Sequence, residues 1–464
     1  MRYLPAARVV VFVFAILFFQ CAAFAATEAS VDGAAAQQRT PGAPSPPSGD
    51  APLSPDAGSN NRAENLATTQ YTLSHERYEK AVAYSRAAYV LYFVDAFVGI
   101  AAAWLLLQLG MAARFRDIAE NVSGRRWVQG LVFVPLLMAA IELCTLPLSI
   151  YGHALSLGYE QSIQGWGSWF WDWIKYQLLI VAFAMVIVQL LDFAMRRSPR
   201  RWWLYFWFAA LPIIVVLTFS TPLVIDPLFH HFEPLANKHP DLSASIQKLT
   251  QRAGVPIPEQ RLFLMDASAK TNEINAYATG LGASKRVVVW DTTIQKLAPE
   301  ETLFIVGHEL GHYVLGHILK AIVFSAAVLL IAMYLLFRGL HWALDRWASG
   351  WKIYGASDWA ALAVLLLLAN AFSFLAEPVA NGFSRNQEHQ ADVYGLEVIH
   401  GLVPNSEEVA ARAFQKLGEM DLSDPNPSAF ITLWLYSHPP LADRLVFAHS
   451  YDPWSKGEAA RYVK

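Results

Sequence analysis

The sequence predicts a mainly α-helical, polytopic membrane protein with a small α/β domain, and three observations carry that prediction. The 464 residues are 55% hydrophobic and 16% charged with positive mean hydropathy, against about 25% charged in soluble chains. Six apolar stretches reach the roughly 20 residues needed to cross a bilayer. Finally, His308-Glu309-Leu310-Gly311-His312 sets two imidazoles one helical turn apart beside a carboxylate.

In chain order, residues 1–25 read as a signal peptide: Arg2 and Arg8 precede an apolar run, and Ala23-Phe24-Ala25 has the small-x-small form of a cleavage site. The alternative is an uncleaved seventh transmembrane helix, since the apolar character continues to Ala26. Residues 26–65, rich in Ala, Pro, Gly and Ser, cannot bury a core and are expected to form a disordered linker. An N-terminal membrane domain over 66–225 holds four expected spans, at about 87–111, 128–151, 174–195 and 202–224; the fourth carries Trp202, Trp203, Tyr205, Phe206 and Trp207 at one end, as an interfacial belt does. A second domain, 226–464, holds a helix near 241–253, strands at 261–265 and 286–290, spans at about 318–338 and 357–380, and a helical tail.

Loop charges orient the spans, because Lys and Arg in short loops stay cytoplasmic. Arg114, Arg116, Arg125 and Arg126 lie in 112–127; Arg196, Arg197, Arg200 and Arg201 in 196–201; Arg346 and Lys352 in 339–356. The loop 152–173 has neither Lys nor Arg, which places it and the catalytic segments on the other face. The expectation is a bacterial inner-membrane protein with its catalytic domain toward the periplasm. Asp95, Glu142, Asp192 and Glu377 fall within spans and are expected to face a bundle interior or water cavity. Cys21 and Cys144 supply neither a disulfide framework nor a cysteine metal site, and the net charge of −3 carries no argument for a nucleic-acid partner, so none is expected.

Pro299-Glu300-Glu301 opens a helix with acidic residues in its first turn, and the apolar run after it buries the motif. On that helix His308 and His312 share a face and can bind one zinc ion while Glu309 acts on its water, the arrangement of a zinc peptidase. Catalytic zinc takes three protein ligands and one open position. Glu388 is the expected third ligand, and Asp392, four residues on, is placed to receive a ligand imidazole N–H. His389 points about 100° away from Glu388 on a helix, and His317, i+5 from His312, falls off the ligand face.

The chain after Tyr71 resembles the type I CAAX prenyl proteases, integral-membrane zinc metalloproteases. The resemblance rests on Asp226-Pro227-Leu228-Phe229 with Phe232-Glu233-Pro234-Leu235, Asn275-Ala276-Tyr277 with Gly280, and the histidine motif extended to Gly316-His317. It rests also on Ser384-Arg385-x-x-Glu388-x-x-Ala391-Asp392 and on Ser437-His438-Pro439-Pro440 with Arg444. It implies a helical barrel around a large chamber, with a zincin-like catalytic domain. It implies zinc on His308, His312 and Glu388, Glu309 as general base, and Asp392 as proton donor or ligand orienter. By the same resemblance His438 stabilises the oxyanion, and Asn275 and Ala276 lie on an edge strand that receives the peptide by β-strand addition. Arg385 and Arg444 are expected to pair with site carboxylates. The implied partners are the bilayer and a peptide or membrane-protein substrate that need not be lipidated. CAAX processing is implied by the resemblance, whereas the exported topology read here is one in which prenylated substrates are not expected. The alternative reading is a membrane channel or binding protein with a structural zinc site.

Overall fold

The structure, a computed structural model, describes residues 71–280 and 284–463. The signal-peptide segment, the linker and Cys21 lie outside the described residues.

Among the described residues, six helices are long and apolar enough to span a bilayer: α1 (His75–Gln108), α3 (Arg126–Gly158), α4 (Trp166–Arg197), α5 (Trp202–Ser220, extended in wider and tighter turns to Leu228), α9 (His317–Trp351) and α10 (Ala361–Ile399). All six expected spans fall on these helices. Phe133, Ile141, Trp202, Phe206, Ile214, Leu329, Leu340 and Trp359 pack between them as one buried cluster. Val90, Phe97, Leu143, Phe193, Val216, Leu319 and Leu375 face outward. So many exposed apolar groups would be costly in water and belong against lipid tails, where helices satisfy their own backbone.

Two expected loops are helical instead. Residues 111–122 form the amphipathic helix α2 (Met111–Val122), which buries Ala112, Ala113, Phe115 and Ala119, and α9 runs on to Trp351 through most of 339–356. The basic segments nevertheless meet at one end of the bundle. Arg116 donates to Asp358 at 2.8 Å and to the Lys352 carbonyl, while Arg126 and Arg196 both hold the buried Asp192 at 2.9 Å. Asp95 is also buried, and Glu142 accepts from the Trp173 indole. At the opposite end of α3, the 159–164 turn meets the segment after 226: Ile163 N donates to Lys270 O at 3.1 Å, and Lys270 reaches the buried Asp172 at 2.6 Å.

The second domain is built on a four-stranded sheet of β1 (Phe232–Pro234), β2 (Leu262–Met265), β3 (Ala276–Thr279) and β4 (Arg286–Trp290), ordered β1-β2-β4-β3. The β2/β4 pair is parallel and the other two pairs are antiparallel, with Ala276 opposite Val289. β3 is therefore an edge strand. Helices α6 (Pro240–Arg252), α8 (Pro299–Val314) and α11 (Ser406–Asp421) cover the sheet through Leu249, Phe304, Leu310 and Phe414, together with the last turns of α10. The short α7 (Asp291–Lys296), α12 (Ala429–Leu435) and α13 (Leu441–Ser450) complete the domain. α8 and α10 touch where glycine removes side chains: a Cβ on Gly395 would stand 2.9 Å from His308 N, and one on Gly311 would stand 3.0 Å from Tyr394.

Candidate metal centre

α8 is anchored before it delivers any chemistry. Glu301 turns back to accept the Ala298 N–H at 2.8 Å, and its buried carboxylate also takes Lys416 at 2.6 Å. Pro299 starts the helix where no amide partner is needed. The following turns bury His308, Glu309 and His312. The 3.6-residue period sets the two imidazoles on one face, edge to face, with their Nε2 atoms 3.1 Å apart.

Glu388 comes from α10, which carries the sixth span and the acidic motif as one 39-residue helix. Its Oε2 lies 3.2 Å from His308 Nε2 and its Oε1 3.6 Å from His312 Nε2. Tetrahedral zinc with bonds of about 2.0–2.1 Å sets its ligand atoms about 3.3 Å apart. The gap between the imidazoles and the gap from each imidazole to its nearer carboxylate oxygen lie close to that spacing. Glu388 Oε2 is moreover buried with no well-aligned hydrogen-bond donor, a charged atom that a cation would satisfy. The residues present thus fit a metal ion.

Around the triad, Asp392 Oδ1 lies 2.9 Å from His308 Nδ1, slightly off a straight hydrogen-bond line. Arg444, at the start of α13, grips Asp392 in a fork, Nε to Oδ2 at 2.9 Å and Nη2 to Oδ1 at 2.6 Å, with its guanidinium 4.4 Å over the Phe414 ring. Burial opposes the charge on Arg444, but Asp392 outweighs it and keeps the guanidinium protonated. Burial likewise disfavours a charged His308, yet the hydrogen bonds it donates to Asp392 and Glu388 win and push its pKa up to about 10 when no metal is bound.

His438 Nε2 stands 3.1 Å from Glu388 Oε2, and its Nδ1 is 3.0 Å from Ser437 Oγ. Glu309 Oε1 is 4.0 Å from His308 Nε2. Asn275 precedes the edge strand: its backbone N donates to Thr293 Oγ1 at 2.7 Å, while its side-chain amide nitrogen is buried with no acceptor. Ala276 begins β3, which runs beside α8. Arg385 departs from expectation. It donates to the Thr432 and Tyr436 carbonyls at 2.9 and 2.5 Å instead of pairing with a carboxylate, so it shapes the segment leading to His438. His389 packs on Phe447, away from the triad.

Sequence reasoning missed two neighbours. Ser437 enters the sequence pattern only as part of a motif, and an unbroken helix puts His317 off the ligand face, yet its Nδ1 is 3.0 Å from His312 Nδ1. The signal was Gly316, which breaks the helix between the two histidines.

Residues 236–451 match the model of peptidase family M48, and residues 60–231 match the CAAX prenyl protease N-terminal region, described as having five membrane helices. In that second stretch the described residues hold five helices, four long and apolar enough to span, with α2 between them. The uncharacterized metalloprotease YhfN of Bacillus subtilis is 35% identical over 361 residues, covering 76% of this chain and 82% of that one. A CAAX prenyl protease 1 homolog of Arabidopsis thaliana is 29% identical over 392 residues, covering 80% and 87%. The crystal structure of S. mikatae Ste24p shares the fold with a TM-score of 0.70 at 22% identity, over 96% of this chain and 99% of that one.

Proposed function

The chain belongs to peptidase family M48 and is an integral-membrane metalloprotease, and from that premise we propose that its metal is zinc, held by His308, His312 and Glu388, with Glu309 as general base. The single observation that carries this reading is the convergence of those three side chains at a spacing close to that of tetrahedral zinc ligands, beside a second carboxylate, Glu309. Two neutral histidines and one carboxylate suit zinc, and the set leaves a coordination position for water.

Bound there, zinc supplies Lewis acidity and lowers the pKa of water to about 7. The chain's own residues do the rest. Glu309 takes the proton of the attacking water and returns one to the leaving amine. Hydrogen on His438 Nε2 suits the Glu388 carboxylate 3.1 Å away, with Ser437 Oγ donating to Nδ1, and so aims a donor at the triad for the developing oxyanion. Asp392 orients His308 and is itself held by the Arg444 fork. A substrate peptide adds to the free edge of β3 at Asn275 and Ala276, so main-chain bonds bind it with little demand on sequence; the orphaned Asn275 amide offers one more donor.

Clustering of the basic segments at the bundle end away from the sheet supports a cytoplasmic position for that end and a periplasmic one for the catalytic domain, in a bacterial inner membrane. The substrate class is peptides or membrane proteins, and CAAX-type lipidated peptides are one member to test. The test is cleavage of a quenched peptide panel, with and without a farnesyl group, by detergent-purified wild type and Glu309→Ala, with zinc assayed in both. Cleavage lost in the mutant with zinc retained supports the reading. Equal behaviour of the two proteins overturns it, and dependence on the farnesyl group decides whether lipidated substrates belong here.

A further inference from the structure

His317 follows the second ligand histidine by five residues, which on an unbroken helix would turn it about 140° away from His312. The helix is broken. Gly316 sits at φ +69°, a left-handed conformation that glycine adopts without penalty, and nothing lies within 4 Å of where its Cβ would be. The glycine therefore serves the backbone turn itself, not close packing. That turn ends α8 and starts α9 with His317 as its first residue, and it folds the His317 ring back against His312, Nδ1 to Nδ1 at 3.0 Å, in full burial.

We infer that His317 is the positioning residue of the second metal ligand, accepting the Nδ1 hydrogen of His312 and so fixing its tautomer and ring plane. The inference rests on the zinc reading above. In that reading the Nε2 atoms of both ligand histidines face Glu388 and carry the metal, which leaves the hydrogen of His312 on Nδ1. Nδ1 of His317, a buried ring nitrogen 3.0 Å away, accepts that hydrogen when the hydrogen of His317 lies on its own Nε2. The two ligand histidines thus have different outer partners. His308 faces the carboxylate of Asp392, whose charge Arg444 already balances, and His312 faces a neutral ring. Both rings are oriented while Glu388 alone contributes uncompensated negative charge among the ligands and their partners, which keeps a bound cation strongly electrophilic.

The test is zinc affinity of the full-length protein in detergent, stripped of metal and titrated against a competing chelating dye. The proteins compared are wild type, His317→Asp, His317→Asn and His317→Leu. An Asn oxygen falls near the place of Nδ1 and accepts. An Asp accepts more strongly and is favoured at the first turn of α9 by the helix dipole. Leu fills the space and cannot accept. The expected order is Asp at least as tight as wild type, Asn within a few-fold of it, and Leu weaker by about 10–100-fold, the usual loss when an outer partner of a ligand histidine is removed. Leu binding as tightly as wild type, or all three weakening alike, overturns the inference and makes the ring a packing element. If Leu does not fold by size exclusion, the comparison of Asp with Asn decides, and Asp binding more weakly than Asn overturns it. His312→Ala and Glu388→Gln run in the same titration: undiminished zinc uptake by those two would refute the metal assignment itself, an outcome distinct from failure of the His317 role.

Discussion

Replacing Gly395 by Ala tests the idea that ligand spacing is set by glycine contact between α8 and α10. The new Cβ would stand 2.9 Å from His308 N, 3.1 Å from its Cα and 3.2 Å from its Cβ. Two of these are backbone atoms of a ligand residue and cannot rotate away. Ordinary carbon contacts need about 3.5–4.0 Å, so the helices must separate by roughly half an ångström or more. Overpacking of this kind costs about 1–3 kcal/mol. The separation acts directly on the 3.2 Å gap between His308 Nε2 and Glu388 Oε2, because those atoms ride on the two helices being pushed apart. Misplacement of catalytic groups by about 1 Å costs on the order of 100-fold in rate, so a fall of roughly 10–100-fold in kcat/KM is expected. The assay is peptide cleavage and zinc affinity of purified Gly395→Ala against Gly350→Ala. Gly350 is a helical glycine of α9 with open space around its Cβ position, where alanine is expected to be neutral or stabilising. A Gly395→Ala protein with wild-type zinc affinity and activity would refute the argument.

Other expectations follow from the same site. Glu309→Gln keeps zinc, since Glu309 is not among the three ligands, and loses about 100- to 10,000-fold in kcat; metal analysis beside steady-state rates checks both parts. Arg444→Met leaves Asp392 buried and without its forked partner, a loss of about 3–5 kcal/mol that should show as a lowered unfolding transition even without metal. Zinc binding is expected to tighten as pH rises, because His308 of the metal-free protein holds a proton up to a pKa of about 10 and must release it; calorimetry in buffers of different ionisation enthalpy counts that proton. The same raised pKa stabilises the metal-free fold fully below pH 6.5, and this stability is lost as pH climbs through about 10, so metal-free protein should show a falling unfolding transition over that range.

The six spans were legible because length and hydropathy are the only requirements lipid imposes on a helix. The triad and its neighbour Asp392 were legible too, since His308 with His312 and Glu388 with Asp392 sit at i, i+4 spacings on two helices and helical geometry does the rest. What escaped depends on contacts between elements. The continuity of α10 from Ala361 to Ile399 was hidden because Arg385, Glu388 and Asp392 read as an exit from the membrane, whereas their charges are met by Thr432, Tyr436, His308 and Arg444. Arg385 announces a need for acceptors without saying whether carboxylates or carbonyls will meet it. The three-residue β1 is too short to show alternation, and β3 entered only through a resemblance, because Ala276–Thr279 carries a weak pattern and gains its register from β4. His317 was misplaced by extending one helical wheel across a glycine that ends the helix.

X-ray absorption at the zinc edge of the detergent-purified, zinc-loaded protein tests the central claim most directly. The account predicts one zinc per chain with two imidazole nitrogens at about 2.0–2.1 Å, carboxylate oxygen from one residue, and a light-atom position open to water. That spectrum should change when Glu388 is replaced by Gln. A fourth protein ligand closing the sphere, or a spectrum indifferent to Glu388, would contradict it and return the site to a structural role.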